Sequence, residues 1–168
     1  MHTPSRRRLL LAGAALSAGA LLGGCGFRLR GPQALAFSTI HLGVSPVTGF
    51  GAQLARQIAA SGTTTVVTNP AQADVQLQIL ENRSGREILS LTGAGKVREY
   101  QLTRELGFQL LDRSGEPLIP PTMLRTQREY TFQDDRILAK EQEEALLERD
   151  MEKELVEQLM RRLAAVRM

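Results

Sequence analysis

Cys25 is the single cysteine of this 168-residue chain, and the residues before it make its thiol a substrate for acylation rather than a catalyst. Arg6-Arg7-Arg8 supplies a positive start, Leu9 to Leu22 is uncharged, and Leu22-Gly23-Gly24-Cys25 follows. A run of about 14 apolar or small residues fits the ~7–15 of a signal-peptide core and falls short of the ~20 that span a bilayer. The last four residues resemble a lipobox, where a signal peptidase cuts before a diacylated cysteine. Gly23 is less usual there than Ala or Ser but is small enough. Other thiol chemistry lacks partners. A disulfide needs a second cysteine, and a catalytic thiol needs a histidine, of which only His41 lies beyond Cys25. The expectation is a thioether to lipid at Cys25 and removal of residues 1–24. Ser5-Arg6-Arg7-Arg8-Leu9-Leu10 fits a twin-arginine signal loosely and an ordinary Sec start equally, so the export route stays open.

Loss of Arg6, Arg7 and Arg8 leaves 18 basic and 18 acidic residues, a net charge of zero, in the 144 residues from Cys25 on. The pI near 9.5 therefore describes the leader. A nucleic-acid partner would want a strongly basic domain, and export excludes one. One ordinary domain with a sizeable core fits this length. Attachment to a membrane would rest on acyl chains, of which two or more hold firmly. Gly26 after the cysteine resembles the outer-membrane sorting code, in which Asp would retain the protein at the inner membrane.

Residues that could do other chemistry are few. No Gly-x-Ser-x-Gly, Gly-x-x-x-x-Gly-Lys or His-Glu-x-x-His occurs. Gly93-Ala94-Gly95 precedes a strand pattern, so the helix N-terminus that would cradle a phosphate is missing. His41 falls on the outward phase of a strand. The carboxylates from Glu141 to Glu157 read as a solvated helix face, with Glu148 and Glu152 repelling at i,i+4. No metal site and no enzyme are expected.

The elements that must position these residues follow from periodicity. Residues 25–37 read as a lipidated tether and 38–168 as one domain. Ile40, Leu42 and Val44 alternate in a strand over Ser38–Val44. Phe50, Leu54, Ile58 and Ala59 give a helix over Thr48–Ala60, closed by Gly62. Thr63–Thr68 reads as a short strand ended by Asn69-Pro70. Val75, Leu77 and Ile79 alternate in the next strand, Glu81–Arg86 reads as a loop or bulge around Gly85, and Ile88, Leu89 and Leu91 resume. After a turn at Gly93–Gly95, a long strand over Lys96–Asp112 keeps Tyr100, Leu102, Leu106, Phe108 and Leu110 in phase. Arg104 shares that phase, which calls for a bulge or a snorkelling side chain, or else a contact to a partner or ligand. Arg113–Glu116 makes a hairpin loop, and Leu124–Phe132 is the last strand. Asp134 or Asp135 caps a final helix whose Leu147, Met151, Leu155, Leu159 and Leu163 recur every four residues. The order β-α-β, then longer strands and a C-terminal helix, predicts an α/β (α+β) two-layer sandwich. Two helices would pack on one face of a mixed sheet of about four or more strands.

Cys25-Gly26-Phe27-Arg28-Leu29-Arg30-Gly31 resembles the opening of the mature LptE family of lipopolysaccharide-assembly lipoproteins. Glu99-Tyr100-Gln101-Leu102, Leu138-Ala139-Lys140-Glu141 with Glu143-Glu144, Arg149-Asp150-Met151, and Gln158-Leu159 with Arg161-Arg162-Leu163 match in order. The resemblance implies a non-enzymatic protein seated in the lumen of an LptD-like outer-membrane β-barrel, helping that barrel assemble and binding lipopolysaccharide. It implies no cofactor beyond the covalent lipid on Cys25, which would sit in the inner leaflet of the outer membrane. Lipopolysaccharide presents phosphates, so a binder needs Lys or Arg on a rigid element. Arg83, Arg86, Lys96 and Arg98 gather near two strand ends, and Lys140 near the start of the last helix, where the macrodipole gives a cation no help. The alternative is a free, outer-membrane-anchored periplasmic lipoprotein acting as an envelope chaperone or scaffold.

Overall fold

The structure, a computed structural model, describes residues 34–47, 49–133 and 137–167. The leader, Cys25, most of the tether segment and the capping pair Asp134/Asp135 lie outside the described residues. Among the described residues, five strands and two α-helices follow in the order β1 (Thr39–Leu42), α1 (Gly49–Ala60), β2 (Thr65–Val67), β3 (Val75–Leu91), β4 (Val97–Asp112), β5 (Pro117–Thr131) and α2 (Ile137–Ala164). A short 3₁₀ turn, Pro70–Gln72, is capped by Asn69 and precedes β3. The sheet order is β2-β1-β3-β4-β5. β1 runs parallel to β2 and β3, while β4 runs antiparallel to both of its neighbours, β3 and β5. The result is the expected two-layer α+β sandwich with a mixed sheet.

Both helices contribute to one apolar layer on one sheet face. Phe50, Leu54 and Ile58 of α1 and Leu155, Val156, Leu159 and Leu163 of α2 bury against Ile40, Leu42, Val75, Leu77, Leu106, Phe108 and Leu110. Gly51 lets α1 approach the preceding turn, since a Cβ there would sit 2.1 Å from the Ser45 carbonyl oxygen. Gly62 ends α1 with φ +73°, the left-handed conformation a C-terminal glycine supplies. The core also reaches back before β1. Leu35 and Phe37 are buried, and Thr63 Oγ1 accepts from the Leu35 N–H at 3.1 Å. The packed domain therefore begins three residues inside the segment read as tether, because these two apolar side chains fill space beside α1 and β2.

Three element readings change. β3 is continuous from Val75 to Leu91, so Glu81–Arg86 is strand and not loop. Its first bulge lies at Leu80, between the pairs Ile79–Phe108 and Glu81–Gly107, rather than at Gly85, and the register shifts again between Ile88 and Leu91 near the turn. The adjacent apolar pair Ile79-Leu80 breaks the alternation at that point, and the exposed Leu80 is the extra residue. β5 starts at Pro117, seven residues before the expected Leu124. Pro117, Pro120 and Pro121 are tolerated because β5 is an edge strand. Arg104 needs no bulge, as its pairing with Ser84 and Thr126 is regular.

Candidate functional site

The bulge at Leu80 decides which cations face the helices. Before it, Val75, Leu77 and Ile79 pair with helix-facing residues of β4; after it, Asn82, Ser84, Arg86 and Ile88 do. Without that extra residue Arg83 would face α2 and Arg86 would face away. The five expected cations are accordingly divided between two faces. Arg83 lies on the open face, where its guanidinium reaches Glu105 at 2.6 Å and Glu81 at 3.0 Å. Hydrogen bonding to Arg83 holds the Glu105 carboxyl below its ordinary range. Arg86 faces the helices and donates to Glu144 Oε2 at 2.9 Å. Its guanidinium lies 4.8 Å from the centroid of the Tyr100 ring, within cation–π range.

Around Arg86 the side chains are aromatic. Tyr100 stacks on Tyr130 with centroids 5.7 Å apart and meets Phe132 edge-on at 5.4 Å. The Tyr130 hydroxyl donates to the same Glu144 oxygen at 2.6 Å. Burial, and then this contact with Glu144, pushes the Tyr130 phenol up to about 12. Lys140, one turn earlier than Glu144, is 2.7 Å from Glu143 Oε2 with its side chain 14% exposed. Arg98 is exposed near the start of β4, with its carbonyl accepting from the Phe132 N–H. Lys96 is exposed in the β3–β4 turn, its backbone exchanging hydrogen bonds with Thr92. Arg86, Lys96, Arg98 and Lys140 thus share the end of the sandwich built by the β3–β4 turn and the start of α2. Arg83 faces away from them.

Exposed apolar side chains collect at the same end. Ile88, Leu89 and Leu91 of β3 and Ile137 and Leu138 of α2 are all exposed. α2 lies over β4 and β5, which leaves the helix-facing side of the far half of β3 uncovered. An apolar, cation-bearing rim is suited to an anionic amphiphile, whose chains meet the leucines and whose phosphates meet Lys and Arg.

The carboxylate-rich stretch of α2 is not a purely solvated face. Arg104 donates to Glu148 at 3.2 Å and to Glu152 at 2.5 Å, and Arg128 donates to Glu154 at 2.6 Å beside the Thr126 hydroxyl. With Arg86–Glu144, sheet arginines meet helix carboxylates along the interface. Arg104 relieves the expected Glu148–Glu152 repulsion by placing one guanidinium between them. Its functional reading as a contact to a separate partner gives way to this pairing within the chain. The signal that was readable is the charge pattern itself: Arg86, Arg104 and Arg128 stand on helix-facing strand positions, Arg104 with little solvent to turn to, and α2 supplies acids. Tyr100, Tyr130, Glu143 and Glu144 were not read as site residues, because nothing local to their segments brings them together.

His41 is half-buried on the β1 phase opposite Ile40 and Leu42. Among the described residues no His, Cys, Asp and Glu side chains converge as a metal site. Nor is any described helix long and apolar enough to cross a membrane.

The family model for LptE, described as lipopolysaccharide assembly, matches residues 37–163. The LPS-assembly lipoprotein LptE of Pectobacterium atrosepticum is 29% identical over 150 residues, covering 85% of this chain and 78% of that protein. Lipoprotein B of Nitrosomonas europaea, solved by NMR, is similar with TM-score 0.70 and 32% identity, covering 83% of this chain and 91% of that one. A minor lipoprotein of Acinetobacter baumannii gives TM-score 0.63 and 25% identity, covering 78% and 93%. The match spans the sheet, both helices and the cation-bearing end, and its description is one of assembly and not of catalysis: this chain belongs to the LptE family of lipopolysaccharide-assembly proteins.

Proposed function

We propose that this chain is an outer-membrane lipoprotein, held in the inner leaflet by an acylated Cys25, that plugs and helps assemble an LptD-like β-barrel. Within that barrel it binds lipopolysaccharide on its way to the outer leaflet. The observation that carries the ligand half is that Lys140, Arg86, Lys96 and Arg98 and the exposed Ile88, Leu91, Ile137 and Leu138 belong to the segments around the β3–β4 turn and the start of α2. Phosphates pair with the cations in charge-assisted hydrogen bonds, and the leucine and isoleucine side chains accept acyl surface. The proposed site leaves out Arg83, which the register of β3 turns to the opposite face.

The barrel half draws support from the open sheet face. It is polar and ordered by cross-strand contacts, Arg83–Glu105, Arg125–Glu105 at 3.6 Å and Gln109–Gln78 at 2.6 Å, so it suits a hydrated lumen wall. The ligand half is tested by titrating lipopolysaccharide into wild type, Lys140→Glu and Lys140→Glu/Lys96→Glu. Affinity should fall in the single variant and further in the double, with both proteins folded. Added salt should weaken the wild-type interaction. Unchanged affinity in the folded double variant would move the phosphate site elsewhere.

A further inference from the structure

Lys140 and Arg86 each already hold a carboxylate from the start of α2. Lys140 Nζ lies 2.7 Å from Glu143, and Arg86 Nη1 lies 2.9 Å from Glu144. Glu143 and Glu144 are adjacent, so two negative charges from one turn of α2 stand against one cation of that helix and one of β3. An incoming anion must therefore compete for donors that are in use. We infer that Glu143 and Glu144 set a charge threshold on the site, rejecting singly charged lipid headgroups and admitting a lipid that carries two phosphate monoesters; the inference rests on the ligand reading above.

The chemistry of the competitors supports this. A phosphate monoester carries about −1.5 to −2 at pH 7 and has three strong acceptor oxygens. It outcompetes a carboxylate for an ammonium or guanidinium. A phosphodiester headgroup carries one charge, no more than the carboxylate it would replace, and gains little by the exchange. Discrimination is a difference of affinities, and a repulsive element penalises the weaker competitor more. The two acids are held unequally. Glu143 is half-exposed and bonded to Lys140. Glu144 also accepts from the Tyr130 hydroxyl and is harder to displace. Tyr100 lies under the Arg86 guanidinium and keeps it in place when the carboxylate leaves.

The test titrates the full mature protein in detergent with two probes, lipid A and phosphatidylglycerol, for wild type, Glu143→Gln and Glu143→Gln/Glu144→Gln. Glu143→Gln keeps the fold independently of Glu144 and so guards against a misfolded double variant. Phosphatidylglycerol affinity should rise about threefold in the single variant, the scale of one exposed ion pair, and further in the double. Lipid A affinity should rise less, so the ratio of the two falls. A ratio that stays at the wild-type value or climbs in both variants overturns the threshold. Lys140→Glu, measured alongside, separates the two readings. If it weakens lipid A binding while the Gln variants keep the wild-type ratio, the threshold alone is wrong; if it leaves lipid A binding unchanged, the ligand site and the threshold fall together.

Discussion

Arg104 divides its guanidinium between Glu148 and Glu152, one turn apart on α2, and its Nε is buried without a partner. Removing the cation would leave two partly buried acids facing each other. Arg104→Ala should therefore lose about 2–3 kcal/mol in urea denaturation, short of the ~3–5 of a fully buried pair because both acids keep some water. Arg104→Met combined with Glu148→Gln and Glu152→Gln should come close to wild type, since an apolar replacement of a buried pair is often neutral. Tyr130 gives a second test. The chain has two tyrosines, and the Tyr130 phenol is raised to about 12 by burial and Glu144. A raised acid pKa stabilises the fold below the unfolded value of about 10, and that contribution is lost as pH climbs through 12. Phenolate absorbance should show a step near pH 12 that vanishes in Tyr130→Phe. At Cys25 the expectation is chemical: Cys25→Ser should block lipid attachment and leave unprocessed precursor, seen as a mass without acyl groups.

The helix α2 is two devices joined end to end. Its C-terminal half carries the apolar stripe Leu155, Leu159 and Leu163, all essentially fully buried. Truncating Leu155 to Ala should cost about 2–5 kcal/mol. Its N-terminal half rests on a small cluster, Leu102, Tyr130 and Met151 with Leu147 at the margin, and on ion pairs. Glu154 lies at the junction, its carboxyl lowered by Arg128 first and by Thr126 and Gln158 as well. A lowered carboxylate stabilises above its unfolded value of about 4.3, and the contribution disappears as pH falls through the folded value. Glu154→Gln should make acid unfolding less steep, by under about 1 kcal/mol for a pair this exposed. The apolar stripe and the β4 alternation were legible because each has a single period and one face of solvent. The acid–arginine pairing was not, because it needs the crossing of α2 over β4 and β5. The true place of the bulge in β3 was masked for a different reason: Gly85 looked like the breaker, while the doublet Ile79-Leu80 carried the extra residue. The early start of β5 was hidden by prolines whose cost depends on the strand being at an edge, a property of sheet order.

At the scale of the whole domain, helices cover one sheet face except along the far half of β3, the other face is polar and open, and one end combines cations with exposed leucine and isoleucine side chains. The lone cysteine, the absence of enzyme motifs and the ordered set of matching stretches were enough to reach the family. The division of the cations between two faces required the sheet register. The proposed role puts this domain inside an outer-membrane barrel and not in the periplasm as a free scaffold. Purifying the lipidated protein from detergent-solubilised envelopes and weighing the complex by native mass spectrometry tests that directly. The account predicts a one-to-one complex with a large β-barrel protein that persists through gel filtration. Recovery of the lipoprotein alone, intact and folded, with no barrel in stoichiometric amount would contradict it.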